Sequence, residues 1–416
     1  AGATGPETAN TVRRTPKKRL AQSVRDIPIL GHYLGRLAGL IRATAAAHRT
    51  RQYARDLVRT ISPNLIFMGP FHSCGRFDNA IMVEASTQQI ARCCYPVSTY
   101  HGKIGAHHAR QSNLRRGMLP QTLRTDYDIL NRLLAFLRPS WTFDNGTART
   151  FMWDPLHMIA ARLNGLLPSD IWQKPSPDFD RVYVFSEFSA SLLEHSGFPM
   201  DRVETTGIPL LDDVFHGCRD RSVRERIFKE LRLQADEPFL LFNVEPSFEH
   251  HYCDATTHWA RFDSMMTLVS SFQLPVVLSL HPLCDEADYA YAEQRFGVRI
   301  ARHRKIYELY PYCRLAVSFA CSTNILAEIF DKPIVVYDFF GMADEASERA
   351  FEFRLPFVKV ANTFEQIRQL IAKELDKSAH CAEPPSAGAG LACTLMFESA
   401  CKIANARQVT ATSRPI

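Results

Sequence analysis

Short apolar segments that alternate with helical stretches are the feature that most constrains the fold of this chain. One set lies at 64–70, 92–100, 181–186 and 203–209, and a second at 238–244, 275–282, 315–319 and 333–339. Their length and their content of Val, Ile, Leu and Phe predict buried strands. Strands that alternate with helices form βαβ units and therefore parallel sheets. The sequence thus predicts an α/β fold of two doubly wound, Rossmann-like domains that face a central cleft.

The same pattern divides the chain into four segments. We expect a basic amphipathic segment at 1–59, a first Rossmann-like domain at 60–210 and a second one at 211–379. The run EPPSAGAG then predicts a linker, so 380–416 is interpreted as a linker followed by a C-terminal helix.

Charge is distributed unevenly along the chain. The net charge is only +5, yet the many basic residues of 1–60 are opposed by just Glu7, Asp26 and Asp56. Apolar residues recur between these arginines and predict a basic amphipathic helix. Such a helix either lies on an anionic membrane surface or packs on the protein with its arginines in water. Nucleic acid is not expected as a partner, because no aromatic residues interleave with the basic ones.

Several features bear on localisation. No run approaches the ~18 consecutive apolar residues of a membrane-spanning helix. The first residues lack the apolar core of a signal peptide. The eleven cysteines include no CxxC pair, which favours reduced thiols. We therefore expect a cytoplasmic protein that can associate peripherally with the inner face of the plasma membrane.

Ligands of open α/β sheets bind at the carboxyl ends of the strands, and two strand ends in the second half carry suitable residues. His281 and Pro282 follow the strand at 275–280, where an imidazole can donate a hydrogen bond to a phosphate. Ser322 or Thr323 can cap the helix after the strand at 315–319 and leave its N–H groups to an anion. Glu328, about one and a half turns further along, can reach a ribose hydroxyl. An ordinary turn histidine and an ordinary capped helix are the alternatives.

A third strand end lies in the first half of the chain. His101 and Gly102 follow the segment at 92–100, and a histidine there is a candidate general base for a hydroxyl. Arg110, Arg115 and Arg116 come next and can hold an anionic acceptor. A turn histidine and a solvated basic face are the alternatives.

Two longer stretches carry a family resemblance. The run DRVYVFSEFSASLLEHSGFPMDRVETTGIPLLD at 180–212 resembles the domain-junction signature of GT-B glycosyltransferases, in which a strand ends in a serine, here Ser186, and a later turn holds Gly207. LHP, followed by ELYPYCRLAVSFACSTNILAEIFDKPIVVYD at 308–338, is similar to their nucleotide-binding half. The combination resembles CDP-glycerol glycerophosphotransferases, bacterial polysialyltransferases and capsule Kdo transferases. The resemblance covers about 60–375.

The resemblance implies a metal-independent, inverting glycosyltransferase. It would move a sugar or sugar acid from a CMP-, UDP- or CDP-linked donor to a cell-surface polysaccharide or lipid-linked acceptor, with no cofactor besides the nucleotide-activated donor. The donor would be bound by residues of both halves, namely Ser186, Gly207, His281, Pro282, Ser322, Thr323 and Glu328. The candidate base is His101, with Asp78 and Glu84 in reserve, and the acceptor would contact Arg110, Arg115, Arg116 and His250.

Other interpretations stay open. UDP-N-acetylglucosamine 2-epimerases share the fold and the text at 203–212, so a nucleotide-sugar epimerase is the first alternative. A catalytically inactive partner of polysaccharide assembly is the second. The loop EPSFEHHYCDATTH at 245–258 contains residue types that bind metals, but no recognised ligand spacing, and we predict no metal site.

Overall fold

A computed structural model of the chain describes residues 28–69, 77–96, 120–144, 149–249, 252–319, 321–339, 341, 354–355, 357–377 and 390–412. Some of the predicted site residues lie outside these ranges: His101, Arg110, Arg115, Arg116 and His250. For Ser322 only the backbone is described. The basic residues before Pro28 are likewise outside the described part.

The described residues form helices and strands in alternation. The α-helices are α1 Pro28–Ile61, α2 Phe77–Thr87, α3 Ile129–Leu137, α4 Pro155–Leu163, α5 Glu187–His195, α6 Asp212–Cys218, α7 Arg221–Glu230, α8 Ala255–Ser270, α9 Glu286–Tyr289, α10 Tyr291–Phe296, α11 Ile306–Leu309, α12 Leu326–Ile329, α13 Phe364–Lys377 and α14 Ala392–Thr412. The strands are β1 Leu65–Met68, β2 Ala91–Cys94, β3 Thr142–Asp144, β4 Arg149–Phe151, β5 Arg181–Val184, β6 Val203–Thr205, β7 Leu240–Val244, β8 Val276–Leu280, β9 Arg299–Ile300, β10 Leu315–Phe319, β11 Ile334–Tyr337 and β12 Val358–Ala361.

Four of these strands form the first sheet, in the order β1-β2-β5-β6, and every pair is parallel. The C-terminal helix α14 returns to this sheet, where Ala400 packs against the buried side chains of Cys93 and Tyr183. The sequence predicted the helix but not its position. The strands β3 and β4 form a separate antiparallel pair that the sequence did not predict.

Six parallel strands form the second sheet, in the order β12-β11-β10-β7-β8-β9. Numbered within the sheet this is 6-5-4-1-2-3, the doubly wound order of Rossmann-like domains. Strand β7 is buried on both faces, since Leu240 and Phe242 belong to one core cluster and Leu241 to another. Such burial explains why the strands are almost continuously apolar. The winding direction reverses between β7 and β10, which makes that pair the switch point of the sheet.

By backbone contacts the chain divides into two compact units. The first includes the described residues of 28–62, 77–84, 120–144 and 149–168, in which α1 packs along α4. The backbone of Gly39 comes so close to α4 that an added Cβ would lie 3.6 Å from Leu156. The second unit includes both parallel sheets. The predicted α/β class with parallel sheets is therefore confirmed, whereas the predicted domain limits and cleft stay predictions.

None of the described helices combines the length and the apolar character needed to cross a bilayer.

Candidate functional site

Asn243, the penultimate residue of β7, connects the two strands of the switch point. Its side chain is 7% exposed, and its Nδ2 donates hydrogen bonds to Oγ1 of Thr323 at 2.7 Å and to Sγ of Cys321 at 3.1 Å. Both acceptors follow β10, the neighbour of β7. The loops that leave these strands turn to opposite faces of the sheet, and the crevice between them is where such folds bind ligands. Asn243 of β7 is thus hydrogen-bonded to the loop that follows β10.

The helical segment after β10 differs from the prediction. A 3₁₀ turn at Ser322–Ile325 precedes the short helix α12, and Cys321 occupies the N-cap position without a side-chain capping bond. The prediction that Ser322 or Thr323 caps this helix is wrong, because the Thr323 hydroxyl is engaged by Asn243 and lies 2.7 Å from Sγ of Cys321. A short segment that begins as a 3₁₀ turn also has a weaker dipole than a long α-helix. Side-chain donors therefore matter more at this site than the helix terminus.

A second layer of polar groups supports the loop from below. Oγ of Ser318, the penultimate residue of β10, donates to Oδ1 of Asn324 at 3.0 Å, and both side chains are fully buried. The Asn324 N–H donates to the Cys321 carbonyl at 3.2 Å. Buried hydrogen bonds of this kind hold a loop in one conformation. The polar residues at 318–324 are thus organised as a network rather than left to solvent.

His281 follows β8 directly, as predicted, and its ring orientation is fixed by a turn. Its Nδ1 accepts a hydrogen bond from the Leu283 N–H at 3.2 Å, and its carbonyl accepts from the Cys284 N–H at 2.9 Å. When Nδ1 is the acceptor, the neutral ring carries its proton on Nε2. The β7–β8 register pairs Val244 with Leu280, so His281 leaves the sheet beside the end of β7. Pro282 is exposed in the same turn.

The loop after β7 begins with two buried polar residues. Glu245 and Ser247 are each 5% exposed, and the Ser247 N–H donates to the Glu245 carbonyl at 2.8 Å. Both residues lie at the carboxyl edge of the sheet, next to the Asn243 network. This loop continues into His250, whose predicted acceptor role falls outside the described residues.

Glu328 and Ser186, which came from separate motifs, lie close to each other. Ser186 caps α5 by accepting from the Ser189 N–H at 3.2 Å, and its hydroxyl donates to Oγ of Ser189 at 3.4 Å. The Ser186 hydroxyl and the Phe188 N–H both favour the charged form of the Glu328 carboxyl. Burial nevertheless raises the pKa of Glu328 above its usual value. The contact joins α12 of the second sheet to the start of α5 after the first sheet.

There is a structural reason for glycine at position 207 that the sequence did not reveal. Its φ is +88°, and a Cβ there would lie 3.2 Å from Cβ of Ala392 in α14. Both the backbone conformation and the space thus require glycine. The structure therefore gives Gly207 a packing role against the C-terminal helix, and its donor contact stays a prediction.

The two reserve catalytic carboxylates lie in the first unit. Glu84, 2% exposed, accepts from Nε of Arg51 at 2.8 Å and from Nε of Arg55 at 3.2 Å. Burial by itself would raise the pKa of Glu84, but the two guanidinium groups outweigh it and lower the pKa. A buried carboxylate stabilised as an anion is a weak base, so this geometry favours a structural role. Asp78 lies half-buried in the first turn of α2, where it accepts from the Asn79 N–H at 3.0 Å.

The loop at 245–258 is rich in residue types that bind metals, but its described residues make structural contacts. Asp254 caps α8 by accepting from the Thr257 N–H at 2.7 Å. Nε2 of His258 lies 2.8 Å from the Tyr289 hydroxyl, and burial lowers the pKa of this histidine. Within the described residues, no group of three or more His, Cys, Asp or Glu side chains is placed to hold a metal ion.

Sequence reasoning missed Asn243 and the involvement of Cys321. The signal for Asn243 is a single amide in the otherwise apolar strand LLFNV, at its carboxyl end. A buried amide in such a strand requires partners. Cys321 gave no comparable signal, since a cysteine after a strand is usually a small buried apolar residue.

Comparisons with known proteins add similarity of fold. No protein-family model matches the sequence, and no curated protein matches it significantly. Among solved structures, a UDP-GlcNAc 2-epimerase from Methanocaldococcus jannaschii is 10% identical, covers 85% of this chain and 82% of its own, and has a TM-score of 0.45. The enzyme of the same name from Neisseria meningitidis, bound to UDP-GlcNAc, is 13% identical. The match covers 86% of this chain and 80% of that enzyme, with a TM-score of 0.47. The wall teichoic acid polymerase TagF is 13% identical over 56% of this chain and 60% of its own, with a TM-score of 0.38.

Proposed function

We propose that the chain is a nucleotide-sugar enzyme whose donor nucleotide binds at the switch point of the second sheet. The observation that carries the proposal is the buried Asn243–Thr323–Cys321 network, which joins β7 and β10 at the position where doubly wound sheets bind nucleotides. His281 supports it from the adjacent strand end, with its ring proton on Nε2. A hydrogen-bond donor there suits a phosphate oxygen.

The reaction that we propose is transfer of a sugar or sugar acid with inversion, from a CMP-, UDP- or CDP-linked donor to a glycan or lipid-linked acceptor. The acceptor hydroxyl loses its proton to a base, for which His101 stays the prediction, and forms a C–O bond at the anomeric carbon. The bond from that carbon to the phosphate oxygen breaks, and the nucleotide leaves with the electron pair. His281 donates a hydrogen bond to the phosphate oxygen that gains charge. This bond lowers the barrier most when the imidazole is already in position before the reaction begins.

Glu328 is the residue that we propose to contact the ribose of the nucleotide. Its carboxyl is half-buried in α12, one short helical segment away from Thr323. Buried carboxylates near a nucleotide phosphate site commonly accept from ribose hydroxyls. The Ser186 hydroxyl, which lies close to this carboxyl, would orient it.

A thermal-shift series with CMP, CDP, UDP, GDP and ADP tests the binding site. A nucleotide at a hundred times its dissociation constant adds about 2.7 kcal/mol of stability, and we expect one of the five to do so. The ligand-induced shift should disappear in Thr323→Val and in His281→Ala, and persist in His303→Ala, which removes an exposed histidine away from the site. No shift with any nucleotide, or an undiminished shift in both site variants, would refute the proposed site.

The alternative, an epimerase, differs from a transferase in the substrates that it requires. An epimerase converts UDP-GlcNAc without an acceptor, whereas a transferase releases the nucleotide only when an acceptor hydroxyl is supplied. Incubation of the chain with UDP-GlcNAc alone, followed by proton NMR of the sugar, separates the two. Appearance of the 2-epimer would replace the transferase proposal by the epimerase one and leave the nucleotide site intact.

A further inference from the structure

Helix α3 presents its large apolar side chains to solvent. Ile129, Leu133, Phe136 and Leu137 are 72%, 51%, 81% and 57% exposed. They recur at helical spacing on one side of α3, whereas Asn131 and Ala135 on the other side are buried. A surface helix normally turns its polar side outward. We call these four exposed residues the α3 face.

Two exposed arginines flank the α3 face. Arg132 is exposed at a position three residues after Ile129 and four before Phe136, and Arg138 is exposed directly after the helix ends. Neither arginine forms an ion pair with any carboxylate of the described residues. Long arginine side chains beside apolar ones can reach a charged surface while their stems stay in an apolar layer.

Two acidic residues just before α3 form ion pairs. Asp128, the N-cap of α3, lies 3.0 Å from Nε2 of His32 and 2.7 Å from a guanidinium nitrogen of Arg36, both in α1. Asp126 lies 2.8 Å from the guanidinium of Arg124. Neither carboxylate is therefore ion-paired with the arginines that flank the α3 face.

We propose that the α3 face inserts into the surface of an anionic lipid bilayer. Exposed Leu, Ile and Phe side chains flanked by arginines match the interfacial region of such a membrane, where apolar groups reach the acyl chains and arginines meet the phosphates. A second copy of this chain fits less well, because the arginines that flank the two α3 faces would repel each other. The sequence pointed to residues 1–59 as the membrane contact, whereas this surface lies at 129–137. The inference goes beyond the proposed function and does not depend on it.

Co-sedimentation of the full chain with vesicles tests this inference. We expect binding to vesicles of equal parts phosphatidylcholine and phosphatidylglycerol, and little binding to phosphatidylcholine alone. Phe136→Ser should weaken the partition coefficient by about tenfold or more, since a large apolar side chain is lost. Arg132→Gln should weaken it roughly fivefold. Phe397→Ser, which removes a 59% exposed phenylalanine from α14, is the matched control and should bind like the unaltered chain.

Two further readouts make the outcome decisive. The α3 variants change exposed residues only, so their melting temperatures and nucleotide-induced shifts should equal those of the unaltered chain. Equal vesicle binding by Phe136→Ser and Phe397→Ser would overturn the inference. It would also be overturned if sedimentation velocity showed a dimer that Phe136→Ser dissociates, because the α3 face would then be an interface between copies.

Discussion

The buried Glu84 and the half-buried Glu328 show how the surroundings of a side chain decide its chemistry. Glu84 is held by Arg51 and Arg55, and its pKa is lowered. Burial raises the pKa of Glu328, and the nearby Ser186 hydroxyl and Phe188 N–H do not offset it. The first is stabilised as an anion, whereas the second keeps its proton more readily. They therefore have opposite effects on stability as the pH changes.

Glu84→Gln should destabilise the folded chain at neutral pH by about 2 kcal/mol, because it weakens two charge-assisted hydrogen bonds. Since the pKa of Glu84 is lowered on folding, its contribution is complete above its ordinary value of 4.5 and is lost as the pH falls through the lower folded value. The difference between variant and unaltered chain should therefore shrink in acid. Urea denaturation at several pH values measures this, with the exposed Glu194→Gln as control. A normal stability combined with lost turnover would instead restore Glu84 as a catalytic base.

Glu328→Gln should have the opposite stability effect. A carboxyl with a raised folded pKa contributes stability below its unfolded value that is lost as the pH rises through the folded value. The neutral amide removes that loss, so the variant should be at least as stable at neutral pH. If Glu328 holds a ribose, nucleotide affinity should fall about tenfold, the usual effect of losing a charged hydrogen bond. Denaturation and calorimetric titration separate the two effects, and unchanged affinity would exclude the ribose contact.

At the scale of elements, the C-terminal helix α14 completes the first sheet. Besides Ala400 on Cys93 and Tyr183, its Ser399 hydroxyl donates to Glu204 of β6 at 2.5 Å. The first turn of α14 is held by Asp212, which accepts from the backbone N–H groups of Ala392 and Cys393 at 3.1 and 2.8 Å. Burial under this helix raises the pKa of the Cys93 thiol to about 11. The last element in the sequence thus packs on strands from the beginning of the chain.

Gly207→Ala should disturb this docking more than a comparable glycine substitution elsewhere. A residue at φ +88° costs about 1–2 kcal/mol of backbone strain, and the new Cβ would press on Ala392. Gly197→Ala, at φ +72° with open space around its Cβ, should cost the strain alone. Urea denaturation of both variants measures the difference. Equal losses would show that α14 shifts easily to make room for the added Cβ. Reduced nucleotide affinity in Gly207→Ala alone would support the predicted donor contact of Gly207.

At the scale of the whole molecule, strand order determines where chemistry can occur. Asn243 and Thr323 are eighty positions apart and meet only because β10 pairs with β7. The reversal of winding between these strands separates the loops that follow them, and doubly wound sheets bind their ligands at such a position. The strand end that carries His281 is adjacent to it.

Hydrogen exchange should therefore locate a bound nucleotide on the second sheet. We expect slower exchange of the amides that follow β7, β8 and β10, at 245–249, 283–284 and 321–329, when the nucleotide identified by thermal shift is added. The solvent-facing amides of α13 serve as the internal reference. Protection confined to strands of the first sheet would place the nucleotide elsewhere.

Much of the fold followed from local patterns. The strand at 315–319 was predicted with the bounds that the structure has, because a buried parallel strand is continuously apolar. His281 was likewise identified from its place after a strand. The short strands Arg299–Ile300 and Val358–Ala361 were missed, since a few residues give too weak a pattern.

The sequence by itself therefore determined the α/β class, the parallel sheets and the candidate residues at strand ends, because these depend on burial and spacing along the chain. Only the tertiary structure decided which strand ends meet, that Thr323 bonds Asn243 rather than capping a helix, and that Gly207 packs on α14. It also decided that the apolar side of α3 faces outward. An amphipathic pattern shows that a helix has two unlike sides, but the partners that cover one of them are set by contacts between residues far apart in sequence.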